Sequence, residues 1–368
     1  MTRPKTLPWY GFGIANLAVV TVLAVASWYL LVDPAWSPFD IYPQPFEAAL
    51  FWALLAAVWV GFNLEFHGFD RMRQPWRGIT LVAVISSISV AVTVVLSRLW
   101  GSIDPSFDAN RPDGKGYLTG AMFVLFGFFS YVTSVVNWNH WPWSKLTSRQ
   151  PWLGLGQISL LILPTLVIYG LLALPGLTTW TDTAATWLTT STVTGWFYSV
   201  VVAVIVTGLL TENWPWRLAG SPGRVVLTSV VGNVAVGTAL YFGVRELTEL
   251  LIGQARSIEI GADITSFPAQ LGVCWVFWMI FWANAFDNRP KGGRALRDYA
   301  VRVLVTFALA VATFLAYYFG FAEAVLHEPA VASGMHGDAL GWMDWMVLWT
   351  LFYVLCFESY GLPARRDG

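Results

Sequence analysis

Gly11–Val32, GFGIANLAVVTVLAVASWYLLV, runs its whole length without one charged side chain. At about 1.5 Å of rise per residue, a helix of this length crosses a hydrocarbon core roughly 30 Å thick. Nine more stretches of the same kind follow: Phe46–Leu64, Gly78–Leu99, Tyr117–Trp138, Leu153–Leu174, Val193–Thr211, Val225–Arg245, Pro268–Phe286, Ala300–Phe321 and Gly341–Glu358. Each is expected to be helical, because an isolated strand would leave its backbone groups unsatisfied in lipid. The bulk composition agrees. Of 368 residues 56% are hydrophobic and only 12% charged, with mean hydropathy +0.58, against roughly 25% charged in ordinary soluble domains. The sequence therefore predicts an all-α membrane protein, a single polytopic domain over residues 1–368 with ten transmembrane helices.

Gly11–Val32 is too long for a signal-peptide core and lacks an A-x-A-like site at its far end, so it reads as a true first span. The connections alternate in charge. Those at the ends of the even-numbered spans, together with the two termini, carry 16 Lys and Arg and 7 Asp and Glu; the opposite side carries the other 5 of 21 and 15 of 22. Positive residues favour the cytoplasmic side, which places both termini inside and the protein in the cell (inner) membrane. The outer face is then acidic, which favours cations there. Cys274 and Cys356 fall near opposite faces and are not expected to pair.

The inner ends of the even-numbered spans read Glu65-Phe66-His67-Gly68, Asn139-His140-Trp141-Pro142, Glu212-Asn213-Trp214-Pro215, Asp287-Asn288-Arg289-Pro290 and Glu358-Ser359-Tyr360-Gly361. An acid or amide is followed three residues later by Pro or Gly, at an interval of about 73 residues. Pro8-Trp9-Tyr10-Gly11, Pro75-Trp76-Arg77-Gly78 and Pro151-Trp152-Leu153-Gly154 mark three of the five odd-numbered starts. This pattern predicts five tandem two-helix (in-out-in) repeats, near 8–74, 75–150, 151–221, 222–296 and 297–368. All share one orientation, so closure about the membrane normal would be pseudo-five-fold.

Punctuation of helix ends accounts for these residues without function, since Pro suits a first helical turn and cannot continue an ending helix. On the functional reading, Glu65, Asn139, Glu212, Asp287 and Glu358 form a ring at the inner mouth, one way to select or gate cations. His67 and His140 sit beside it and could couple to Glu65 or Glu212.

The densest set of potential metal ligands is the last outer connection, with Glu323, His327, His336 and Asp338. Imidazole with carboxylate suits zinc or iron, and Met343 or Met346 nearby would lean toward copper. No paired-histidine signature is present, and a solvated acidic loop explains the same residues. Ser102–Gly116 resembles a calcium loop superficially, but its spacing is one residue out and it lacks the closing Glu. Thr178–Thr192 reads as an interfacial segment. Formal charge looks nearly absent from the spans: Arg98, Arg245 and Glu246 stand where they snorkel, which weakens a charge-driven pump. Asn233 is the most central polar side chain and reads as helix-packing glue.

Walker, nucleophile-elbow, H-E-x-x-H, dinucleotide and C-x-x-C signatures are all missing, which leans away from an enzyme, and nothing suggests nucleic acid. The leading expectation is a permease or channel-like transporter of a small neutral, hydrophobic or weakly cationic solute. The alternatives are a membrane-embedded metalloenzyme, or the integral subunit of one, with its site on the outer face, and a structural anchor for membrane partner subunits or a homo-oligomer in the lipid bilayer.

Overall fold

A computed structural model of the chain describes residues 6–104, 116–177 and 187–365. Ten helices among the described residues are long and apolar enough to cross a membrane: α1 (Trp9–Leu31), α2 (Phe46–Asn63), α3 (Trp76–Ile103), α4 (Tyr117–Val136), α5 (Trp152–Leu172), α6 (Thr190–Leu210), α7 (Pro222–Ile252), α8 (Gln254–Ala285), α9 (Ala295–Ala324) and α10 (Ala339–Cys356). Each coincides with one of the ten apolar stretches. The largest difference is α8, which begins at Gln254 and not at Pro268, through a short helix at Gln254–Ile260 and a tighter turn at Gly261–Ser266; α7 also continues past Arg245 to Ile252, where Arg245 pairs with Glu249 one turn on, Nε to Oε1 2.9 Å. The calcium-like loop and most of the Thr-rich interfacial segment fall outside the described residues.

Burial divides the helices into two classes. The central windows of α2, α4, α6, α8 and α10 are 67%, 67%, 72%, 78% and 78% buried, whereas those of the odd-numbered helices are 22–28% buried. The even-numbered helices pack in sequence: α2 on α4, α4 on α6, α6 on α8, α8 on α10, and α10 back on α2. The five therefore form a closed inner ring, with the odd-numbered helices around it. Hydrophobicity cannot sort inner from outer helices, because lipid is as apolar as their side chains; close packing of small residues can. A methyl group added at Gly237 of α7 would lie 2.8 Å from the Val200 backbone N of α6, and one at Gly154 of α5 only 2.5 Å from the Asn63 carbonyl of α2. These outer helices approach the inner ones backbone to backbone.

One cap closes all five inner helices. Glu65 and Phe66, Asn139 and His140, Glu212 and Asn213, Asp287 and Asn288, and Glu358 and Ser359 are consecutive left-handed pairs, with φ between 48° and 64°. In each, the second residue donates its N–H to the carbonyl six positions back: Phe66 to Val60, His140 to Ser134, Asn213 to Thr207, Asn288 to Trp282 and Ser359 to Tyr353, at 2.7–3.1 Å. The following residue donates to the carbonyl three positions back in every case. Left-handed backbone favours Asn and Asp among residues with a side chain, which accounts for amide and acid at many of these positions. Wide turns precede three of the caps, where Trp59–Asn63, Val206–Leu210 and Leu351–Cys356 are π-helical.

The first and last described segments meet. β1 (Thr6–Leu7) pairs in parallel with β4 (Ala364–Arg365), the Ser359 hydroxyl donates to Asn16 Oδ1 at 2.7 Å, and Trp345 Nε1 donates to the Ala24 carbonyl at 3.1 Å. At the opposite end of the bundle β2 (Ala330–Ala332) and β3 (Met335–His336) form an antiparallel hairpin beside α8 and α9.

Candidate functional site

Inside the ring is a cavity of about 140 Å³ to which all five inner helices contribute. Leu54, Val58 and Phe62 line it from α2, Phe128, Val132, Val135 and Val136 from α4, Val201, Ile205 and Leu209 from α6, Val276, Ile280 and Ala283 from α8, and Val347 and Leu351 from α10. Valine and leucine at three- and four-residue intervals place a full apolar stripe of each helix on the cavity. Three polar side chains join them: Tyr198, Asn284 and Asp344. The Asn284 amide N–H is taken by the Ile280 carbonyl at 2.7 Å. The Tyr198 hydroxyl is the hydrogen-bond partner of Asp344. Asp344 is only 3% exposed, and its Oδ2 has no partner among the described residues. The lining brings no basic side chain to it. Asp344 lies inside the predicted span Gly341–Glu358, so the expectation that the spans are nearly free of charge is corrected here. It was readable in the sequence as an acid between Trp and Met residues.

Above Asp344, on the side away from the chain ends, a group of acids and phenols covers the ring. Asp338 caps α10 by accepting from the Leu340 N–H at 2.9 Å, and Gln270 Oε1 of α8 accepts from the same N–H at 3.1 Å. Glu328, 3% exposed, accepts hydrogen bonds from the Tyr317 and Tyr42 hydroxyls, while its Oε1 is unpartnered. Burial pushes the Glu328 carboxyl up to about 8, with the nearby charges of Asp338 and Asp33 adding to the shift and its phenol hydrogen bonds opposing it. Burial likewise raises Asp338. Glu47 at the start of α2 accepts from Gln44 Nε2 at 2.8 Å and adds a further carboxyl to this group.

The predicted inner ring residues lie at the other end, each at the first left-handed position of a cap, and none lines the cavity. Every acid among them has a base. Glu65 faces His140 Nε2 at 3.6 Å; Glu212 pairs with Arg302 at 2.9 Å; Asp287 meets Lys291, Arg365 and Arg289 at 2.8, 3.4 and 3.7 Å; Glu358 pairs with Arg77. The hydrogen bond and charge of Arg302 hold Glu212 below the ordinary carboxylate value. At Asp287 burial acts upward, but the Lys291 hydrogen bond and the three cationic charges outweigh it and lower the group. Asn139 contributes backbone alone to this pattern, donating to the Val135 carbonyl at 3.2 Å.

Arg302 is a second charge overlooked in the spans. It is 2% exposed, and besides Glu212 it donates to the Leu210 carbonyl at 3.0 Å and the Pro290 carbonyl at 2.8 Å, over the Tyr299 ring. Other carbonyls released at the caps are taken in the same way: Asn63 by Gln150, Asn137 by Asn213, Leu209 by Asn288 and Cys356 by Gln74, at 2.8–2.9 Å. Asn233 is glue as expected. It accepts from Thr207 and Trp216 at 2.9 and 3.1 Å and donates to Asn137 at 3.2 Å.

The four metal candidates are divided between separate pairs. His327 Nδ1 is 2.9 Å from Asp33 Oδ2, His336 Nδ1 is 3.5 Å from Glu323 Oε2, and Asp338 serves as the α10 cap. Among the described residues no group of three or more His, Cys, Asp or Glu stands close enough to hold a metal ion. Compared with protein-family models, curated proteins and solved structures, the chain matches none.

Proposed function

We propose that this multipass membrane protein is a permease for a small solute with an apolar body and a positive charge, carried through the ring of even-numbered helices. The observation behind this reading is Asp344: a carboxyl with a free oxygen, facing an apolar cavity without a base. An ionisable residue buried at membrane depth is costly, and such residues mark substrate or ion paths. A cation in the cavity supplies the charge that the lining withholds, while the valine and leucine walls accept its apolar part. The five like caps support five tandem hairpin repeats, near 8–74, 75–150, 151–221, 222–296 and 297–368, arranged pseudo-symmetrically about the membrane normal. The charge bias supports both termini in the cytoplasm and an inner-membrane location. On this reading Glu65, Glu212, Asp287 and Glu358 gate the inner mouth as clasps, opening when their pairs with His140, Arg302, Lys291 and Arg77 part, Asn139 holds the fifth cap through its backbone, and none of the five filters ions.

Uptake of tetramethylammonium into reconstituted vesicles tests the proposal, because its permanent charge keeps it from crossing lipid unaided. Wild-type protein is expected to admit it, and both Val201→Trp, which fills the cavity, and Asp344→Asn are expected to abolish uptake. Uptake equal to that of protein-free vesicles, or unchanged in both variants, would overturn the reading.

A further inference from the structure

A second cavity, of about 500 Å³, lies outside the ring between α2, α3, α4 and α5, well within the roughly 300–1,000 Å³ of small-molecule sites. Its walls are apolar, yet two buried indole nitrogens there, Trp52 Nε1 and Trp59 Nε1, have no hydrogen-bond partner among the described residues, and the Thr119 and Tyr169 hydroxyls have only each other. Trp52, Thr119 and Tyr169 are 4%, 1% and 4% exposed. Two indole donors left unpaired on α2 are a concentrated cost, since a buried donor without an acceptor has lost its water and gained nothing in return.

Their chemistry specifies what is missing. An indole N–H only donates, so Trp52 and Trp59 require acceptors. The two residues are two helical turns apart on α2, with ring centroids 6.3 Å apart, and Gly120 of α4 leaves open the space beside the Trp52 nitrogen, where an added methyl would lie 3.1 Å away. The cavity also opens sideways: Ile162 and Leu166 of α5 line it and are 42% and 48% exposed on a helix otherwise facing outward. Whatever enters therefore comes from the lipid phase, has an apolar chain, and carries more than one acceptor oxygen.

We infer that this groove binds a chain-bearing carbonyl compound of the bilayer, whose carbonyl oxygens accept from Trp52 and Trp59 and whose chain lies along α3 and α5. Two membrane molecules share that chemistry: a diacyl glycerolipid, through its esters, and an isoprenoid quinone, through its ring carbonyls. The Thr119 and Tyr169 hydroxyls, which bond each other, stand in the same cavity. This inference is independent of the ring and of Asp344.

Native mass spectrometry of protein extracted from membranes and exchanged into a delipidating detergent tests it. One tightly held molecule per chain is expected, and its mass tells glycerolipid from quinone. Trp52→Phe with Trp59→Phe should lower retention at least tenfold. Gly170→Leu offers a second route, because Gly170 lines the groove and a Cβ added there meets nothing within 4 Å; it should displace the molecule while the protein elutes as a normal monodisperse species. Trp187→Phe, at a 96% exposed residue, should change nothing. Wild-type protein with no retained molecule, or full retention in both the double variant and Gly170→Leu, would overturn the inference.

Discussion

Two glycines on α7, six residues apart, should respond oppositely to the same added methyl group. At Gly237 the helix lies against α6, and the new carbon would sit 2.8 Å from the Val200 N and Cγ2 atoms and closer still to its Cα. Ordinary carbon contacts need about 3.5–4.0 Å, so α6 and α7 must part by roughly 1 Å. Backbone cannot rotate aside as a side chain does. Overpacking of this kind costs about 1–3 kcal/mol, and in a chain of 368 residues a drop in thermal midpoint of roughly 1–4 °C follows. At Gly243 the same methyl meets nothing within 4 Å, and Ala there removes the flexibility penalty of Gly, a gain of about 0.5–1 kcal/mol. Thermal unfolding of Gly237→Ala and Gly243→Ala in detergent, followed by loss of the monodisperse peak, measures the contrast. Because Val201 lines the central cavity beside Val200, tetramethylammonium uptake should also fall in Gly237→Ala and persist in Gly243→Ala. Equal stability of the two variants would refute the close approach of α7 to α6.

Replacing Arg302 by Met strands the Leu210 and Pro290 carbonyls together with Glu212, and should cost about 1.5–3 kcal/mol; Lys should restore part of that, since a single ammonium cannot serve the guanidinium's spread of acceptors. Because Glu212 is lowered in the folded chain, its contribution is complete above the ordinary carboxylate value and lost as pH falls through the folded one. Glu212→Gln should therefore flatten the acid side of a stability profile relative to wild type, and an unaltered acid limb would count against the pair. Glu328 behaves oppositely. With its carboxyl raised to about 8, the folded chain holds a proton that the unfolded chain has released, so stability declines as pH rises from the ordinary carboxylate value to about 8 and is flat above. Thermal midpoints of Glu328→Gln should lack that decline, and an identical decline in the variant would place its cause elsewhere.

Ten helices were legible because length and hydropathy alone define a span, whatever its neighbours. The division into inner and outer helices was not. Val58 in the ring and Val95 on the periphery are equally apolar, and what separates their helices is how much of each the bundle covers, which no residue's own hydrophobicity reports. Glu65, Asn139, Glu212, Asp287 and Glu358 were visible as a regular interval, but their bases come from distant segments: Arg302 is 90 residues from Glu212 and Arg77 is 281 from Glu358. Sequence spacing carries no trace of such partners. Asp344 was passed over for a different reason. A tally of loop charge assigned it to the outer side, and one acid in an apolar span does not alter a window average. The histidines His327 and His336 were close along the chain, yet the hairpin and the Asp33 carboxyl draw them into separate pairs.

The seam where α10 packs on α2 fixes an order of assembly. Helices α4, α6 and α8 find their earlier ring neighbour already synthesised, but the far flank of α2 waits until α10 emerges. Ser359 to Asn16, a contact spanning 343 residues, can form only at that moment. Throughout synthesis, then, the nascent bundle is an open trough with Asp344 not yet made, and the central chamber and its carboxyl are completed together by the same last helix.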